Sequence, residues 1–222
     1  MIKAIIFDLD NTLIDFIGTK RKTSRAAVRA MLHAGLKGTE QQVTKKLFEL
    51  YDRYHYEYNK VFQVLLKELT GKIDHHILAA GIVAYRAERR LKPYPKVVQT
   101  LKKLRKKYKL AILSDAPRLK AWIRLVSISA DPYFDVVITK DETHRTKAHL
   151  APFRRVIREL GVNPSECLMV GDNVQRDIVN GKKAGMKTCF PKYGNKSIRK
   201  SGAEYEIERI EDLVRILDKE KS

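Results

Sequence analysis

Near its start the chain leaves the apolar run "KAIIF" and presents Asp8, Asp10 and Asp15 within "DLDNTLID". Crowded carboxylates repel one another and are costly to desolvate, so such a cluster calls for something cationic among them. A second acidic group, Asp172 and Asp177, stands in "MVGDNVQRDI" after another apolar run. A third run ends in "AILSDAP", offering the hydroxyl of Ser114 with Asp115 beside it, and "DETHRTKAHLAPF" supplies Lys147. Several carboxylates aimed at one point suit a hard divalent cation such as Mg2+, which takes oxygen ligands and leaves room for a substrate phosphate. A serine hydroxyl, a lysine and loop amides would bind the remaining phosphoryl oxygens. An aspartate held beside a cation stays ionised and can attack phosphorus.

These residues meet only if the elements carrying them share one edge of a sheet. Five strand-length runs are read at 3–7, 109–113, 135–139, 167–171 and 187–190. Continuous apolar runs of this length fit strands buried on both faces. Helix-period segments lie between them, as in "LAPFRRVIRELG", where Phe153, Val156, Ile157 and Leu160 share a face and Gly161 ends the helix. The alternation predicts an α/β fold, a doubly wound parallel sheet whose sites lie at the carboxyl ends of the strands. Residues 16–92 break the pattern with helical periods alone, punctuated by Gly35, Gly38 and Gly71; "LKPYP" marks the return. The expected division is a Rossmann-like core of 1–15 and 93–222 with an inserted all-helical cap of 16–92, placed to act as a lid.

The 222 residues include 45 Lys and Arg against 26 Asp and Glu, a formal net charge of +19. Basic surfaces attract phosphate backbones. The charge is not gathered into a tail, however, so it is read as a solvated surface and no nucleic-acid partner is expected. The densest stretch, "KKLRKKYK" at 102–109, follows Val97, Val98, Leu101 and Leu104 at helical spacing, and its lysines are placed on a wet face. Cys167 and Cys189, each inside an apolar run, read as reduced core thiols. No run approaches membrane-spanning length. A soluble cytoplasmic monomer or dimer with no membrane partner is the expectation.

The motifs "FDLDNTLID", "AILSDAP", Lys147 before a helix and "VGDNVQRDIVNGKKAGMKT" stand in an order that resembles the haloacid dehalogenase (HAD)-like hydrolase superfamily over nearly the whole chain. The helical insertion between the first two motifs is similar to that of the helical-cap (C1) phosphatase subgroup, and the opening resembles archaeal dehalogenase-like hydrolases. The resemblance implies a Mg2+-dependent phosphatase of small phosphorylated metabolites. Asp8 is then the nucleophile of an aspartyl-phosphate intermediate, and Asp10 protonates the leaving oxygen and later activates water. Asp8, the Asp10 carbonyl and Asp172 hold Mg2+ with support from Asp177, and Ser114 and Lys147 bind the phosphoryl group. Thr12 braces the loop; Asn173 and Asp115, beside motif positions, form turns or touch phosphate directly.

Lys147 is followed by Ala148 where the family has proline, which leaves Lys140 as a second candidate. Three alternatives stay open: a phosphotransferase or mutase with the same site, a 2-haloacid dehalogenase-like hydrolase, and a basic binding protein with a residual site. Asp10 argues against dehalogenase chemistry, whose members lack an acid there.

Other residues receive plainer readings. Asp15 is expected to cap a helix or brace the loop. The adjacent His75 and His76 point to different faces, and His144 and His149 are expected to be exposed. Tyr51, Tyr54 and Tyr58 are expected to pack one face of the cap inward. Trp122 is expected to anchor the core from the helix after Ser114. "TKRKTSR" at 19–25 is read either as recruiting an anionic substrate or as solvated.

Overall fold

A computed structural model describes residues 1–219. Its strands are β1 Ala4–Phe7, β2 Lys109–Leu113, β3 Val136–Ile138, β4 Cys167–Val170, β5 Lys187–Pro191 and β6 Tyr205–Ile207. They form a wholly parallel sheet in the order β3-β2-β1-β4-β5-β6. The order reverses beside β1, and that switch point is where an open α/β sheet offers a crevice. Register does the rest. Phe7 pairs with Ile112 on one side and Val170 on the other, so Asp8, Ser114 and Asp172 leave the sheet at the same edge.

The period-2 alternation of the strands explains burial on both faces. Ile5, Phe7, Leu110, Ile112, Leu168 and Val170 pack in one cluster with residues of α5 (Val97–Leu104) and α10 (Asp212–Lys219). Ala4, Ile6, Ala111, Leu113, Cys167 and Met169 pack on the other face with α8 (Ala151–Leu160). Both cysteines are buried and free. α8 buries Phe153, Val156, Ile157 and Leu160 and ends at Gly161, whose left-handed backbone (φ 63°) lets its N–H reach the Ile157 carbonyl. α5 ends at Leu104, and Lys102 and Lys103 face water as expected.

Residues 17–90 form a second compact unit, and 1–16 with 91–222 the first. The second unit holds α1 (Phe16–His33, all but its first residue), α2 (Glu40–Tyr54), α3 (Val61–Thr70) and α4 (His75–Glu88) around Val28, Met31, Leu47, Leu50, Tyr51, Leu65 and Leu66. Thr39 and Gln42 make a reciprocal capping box at α2, and Asp74 caps α4 through the His76 and Ile77 amides. Of the basic residues at 19–25, Arg21, Lys22 and Arg25 are exposed, whereas Lys20 is half-buried. Its Nζ donates to Tyr56 O (2.9 Å) and Tyr85 Oη (3.0 Å) and lies 4.4 Å from the Tyr51 ring centre.

The structure corrects one expectation. Trp122 is 41% exposed and lies outside the buried clusters, so it is not the core anchor expected. On α6 (Arg118–Ser127) the inward arc is Ala121, Arg124 and Leu125, while Leu119, Trp122, Ile123 and Val126 lie outside. Both arcs carry apolar residues at helical spacing, so periodicity alone cannot choose between them. The three tyrosines pack on the core of residues 17–90 as expected: Tyr51 is buried, and Tyr54 at the end of α2 and Tyr58 from the next loop lie partly buried against the same cluster, stacked on each other at 4.9 Å. β6 was not foreseen, because three residues with Glu206 at the centre carry no strand signal. Among the described residues no helix is long and apolar enough to cross a membrane.

Candidate active site

Asp8 follows β1 directly, and its N–H donates to Val170 O at 2.8 Å, which ties the first turn of the loop to β4. The carboxylate is buried. Thr12 Oγ1 donates to Asp8 Oδ2 at 3.3 Å, and Lys147 Nζ contacts Asp8 Oδ1. The same ammonium lies 2.7 Å from Asp177 Oδ1. Lys147 is itself buried, whereas Lys140 is the partly exposed first residue of the one-turn α7 (Lys140–Thr143).

The Lys147 loop is fixed from two sides. Asp115 Oδ1 accepts the Lys147 N–H at 2.7 Å, and Asn180 Nδ2 donates to Lys147 O at 2.8 Å. Asp115 Oδ2 receives Arg176 Nη1 at 3.0 Å, so this carboxylate is engaged in holding the site together. Ser114 is buried, and its Oγ accepts the Ala116 N–H at 3.2 Å, leaving the hydroxyl proton for another acceptor.

After β4 the chain passes Gly171 and Asp172 into a π-helical turn, Val174–Val179, followed by α9 (Asn180–Lys183). Asn173 caps this turn through the Arg176 N–H, and its own N–H donates to Asp177 Oδ2 at 3.0 Å. The wide turn folds Asp177 back toward Gly171, where a Cβ would lie 2.4 Å from Asp177 Cγ; glycine is required for the approach. The segment after β5 braces the other side. Tyr193 Oη donates to Thr12 O at 2.9 Å and Asn195 Nδ2 to Asp172 O at 3.4 Å.

Carboxylate oxygens of Asp8, Asp172 and Asp177 lie within 4.8 Å of one another, all three residues buried or nearly so. Burial, opposed by Lys147, pushes the Asp8 carboxyl well above its ordinary range; burial and then Asp177 push Asp172 up to about 7. Burial alone would lower the Lys147 ammonium, but Asp177, Asp8 and Asp115 outweigh it and hold it protonated. One ammonium facing three carboxylates leaves the cluster short of positive charge. An all-oxygen donor set with that deficit fits a hard divalent cation.

Asp10 stands apart from this trio. Its Oδ2 accepts a hydrogen bond from Arg124 Nη1 at 2.5 Å, and Arg124 is only 1% exposed. Reading the sequence missed Arg124. The signal was an arginine on the arc of Ala121, Leu125 and Ile128, where a helix face expected to be apolar carries a charge. Asp15, His144 and His149 are exposed, as are His75 and His76 in the first turn of α4.

Comparisons with known proteins agree on one family. The model of the haloacid dehalogenase-like hydrolases matches residues 2–185. A glyceraldehyde 3-phosphate phosphatase of Methanothermobacter thermautotrophicus is 32% identical over 193 residues, 86% of this chain and 85% of its own. Its namesake from Methanocaldococcus jannaschii is 32% identical over 222 residues, covering 98% and 97%. The crystal structure of a HAD phosphatase from Thermococcus onnurineus superposes with a TM-score of 0.74 at 26% identity, covering 97% of this chain and 98% of that one.

Proposed function

The chain belongs to the haloacid dehalogenase-like hydrolases, and from that premise we propose that it is a Mg2+-dependent phosphatase working through an aspartyl-phosphate on Asp8. The observation that carries the reading is the meeting of Asp8, Lys147, Asp172 and Asp177 within one buried cluster. The substrate class is a small phosphate monoester. Glyceraldehyde 3-phosphate is the first to try, since the two archaeal relatives are named for it.

The residues divide the work as follows. Lys147 and the Ser114 hydroxyl bind phosphoryl oxygens and keep the group against Asp8. An Asp8 oxygen forms a bond to phosphorus, the P–O ester bond breaks, and its electron pair goes to the leaving oxygen, which takes a proton from Asp10. Asp10 then accepts a proton from water as the water oxygen bonds to phosphorus. The pair of the breaking P–O bond returns to Asp8, and inorganic phosphate leaves. Asp8, Asp172 and the Asp10 carbonyl would hold Mg2+, with Asp177 in support; when bound, the ion neutralises phosphoryl charge. Thr12, Asn173 and Asp115 position these groups by the hydrogen bonds described above. Residues 17–90 are, on this reading, the cap.

The test is phosphate release from glyceraldehyde 3-phosphate and from an aryl phosphate, with and without Mg2+, by wild type and by Asp8→Asn. Turnover that needs Mg2+ and vanishes in the variant is the expected result. Undiminished turnover by Asp8→Asn would remove Asp8 from the mechanism.

A further inference from the structure

A buried guanidinium is costly unless its charge is met, and Asp10 is one group that meets the charge of Arg124. Its planar head lies 4.5 Å from the ring centre of Phe16, one residue past the Asp8–Asp15 loop. The contact with the Phe16 ring and the hydrogen bond from Nη1 to Asp10 Oδ2 at 2.5 Å together restrict how the guanidinium presents its donors. An aspartate side chain on a loop otherwise samples several staggered rotamers. Asp10 is also 24% exposed, so packing alone does not hold its carboxylate. α6 presents Arg124 because Pro117 starts the helix just after Ser114 and Asp115, so one segment carries both the phosphate-binding hydroxyl and the Asp10 holder.

We infer that Arg124 is a positioning residue that fixes the Asp10 carboxyl for its proton transfers. The inference rests on the reading of Asp10 as the acid-base group. It does not require Arg124 to touch substrate. Proton transfer depends on placement within hydrogen-bond reach, and misplacement by about 1 Å can cost on the order of 100-fold. Lysine is a poor replacement, since it lacks the planar head that contacts Phe16 and the fork that carries the donors.

The experiment compares kcat/KM on two esters, because this constant reports only steps through transfer to Asp8. An alkyl phosphate needs a proton on its leaving oxygen, whereas 2,4-dinitrophenyl phosphate releases a stable phenolate and does not. Arg124→Met is expected to lower kcat/KM for the alkyl ester by about 100-fold and for the dinitrophenyl ester by less than about threefold. Arg124→Lys should show the same split in smaller measure, and it serves if the methionine variant does not fold. In the Asp10→Asn background, Arg124→Met should cause no further loss on the alkyl ester, since a residue acting through Asp10 has nothing left to act on.

Equal losses on both esters, or losses that multiply in the double variant, would overturn the inference and make Arg124 structural. A wild type inactive on both esters would overturn the phosphatase reading and this inference with it. An active wild type with equal losses overturns the inference alone.

Discussion

Lys147 Nζ contacts Asp8 and lies 2.7 Å from Asp177 Oδ1, so one ammonium is shared by two carboxylates that leave different strands. The group proposed to bind phosphate is thus also the counter-ion of the proposed nucleophile. Removing it exposes both roles.

Lys147→Met leaves buried carboxylates without their ammonium, which costs about 3–5 kcal/mol in metal-free protein. Turnover should fall by at least about 100-fold. Urea melts with and without Mg2+ check the first part: the deficit should shrink when the cation is added. A variant as stable as wild type without metal would show that these ion pairs contribute nothing to folding.

The raised Asp172 carboxyl gives a pH dependence whose sign can be worked out. Its folded value is about 7, against about 3.9 for an unfolded chain. Between those values the folded state holds a proton that the unfolded state has lost, so metal-free stability falls as pH rises through the window and flattens above it. Mg2+ binds the ionised site, so it should raise Tm more at pH 8 than at pH 5. Thermal melts at both pH values, with and without the cation, are the measurement; a Mg2+ shift larger at pH 5 would contradict the assignment.

Gly194 lies against the first loop so closely that a Cβ would fall 1.9 Å from the Asn11 carbonyl oxygen. Asn11 holds a left-handed backbone (φ 58°) between Asp10 and Thr12. Gly194→Ala must push backbone aside, at about 1–3 kcal/mol. Because that backbone carries Asp8 and Asp10, kcat should fall more than KM rises. Unchanged kinetics in a folded variant would show that the loop has another support.

Asp115 supports the Lys147 backbone by accepting its N–H at 2.7 Å. Asp115→Ala strands that donor at about 1–3 kcal/mol. Asp115→Asn keeps an acceptor oxygen and should lose less, in both Tm and turnover. Equal effects of the two would assign the importance of Asp115 to its charge and to Arg176, its other partner at 3.0 Å.

Much of this protein was legible in its residues. Strand-length apolar runs, each followed by a polar turn, located five of the strands. Those turns named Asp8, Ser114 and Asp172 before any fold was known, because a buried parallel strand must be apolar throughout and the chemistry can begin only where it ends. Gly161 and the spacing of Phe153, Val156, Ile157 and Leu160 likewise fixed α8, since a 3.6-residue period leaves one apolar face and one place to stop.

Tertiary structure decided what local pattern leaves degenerate. α6 carries two apolar arcs, and only its neighbours determine that Arg124 turns inward while Trp122 stays out. Sequence favoured Lys147 but left Lys140 as a second candidate, and it is Asp115 and Asn180, distant in sequence, that hold the Lys147 backbone beside Asp8. The Arg124–Asp10 pair spans 114 residues, and β6 exists because β5 offers it an edge. Periodicity records which side of an element can be buried, whereas the partner of a charge is set by whichever distant element packs against it, and no local spacing encodes that distance.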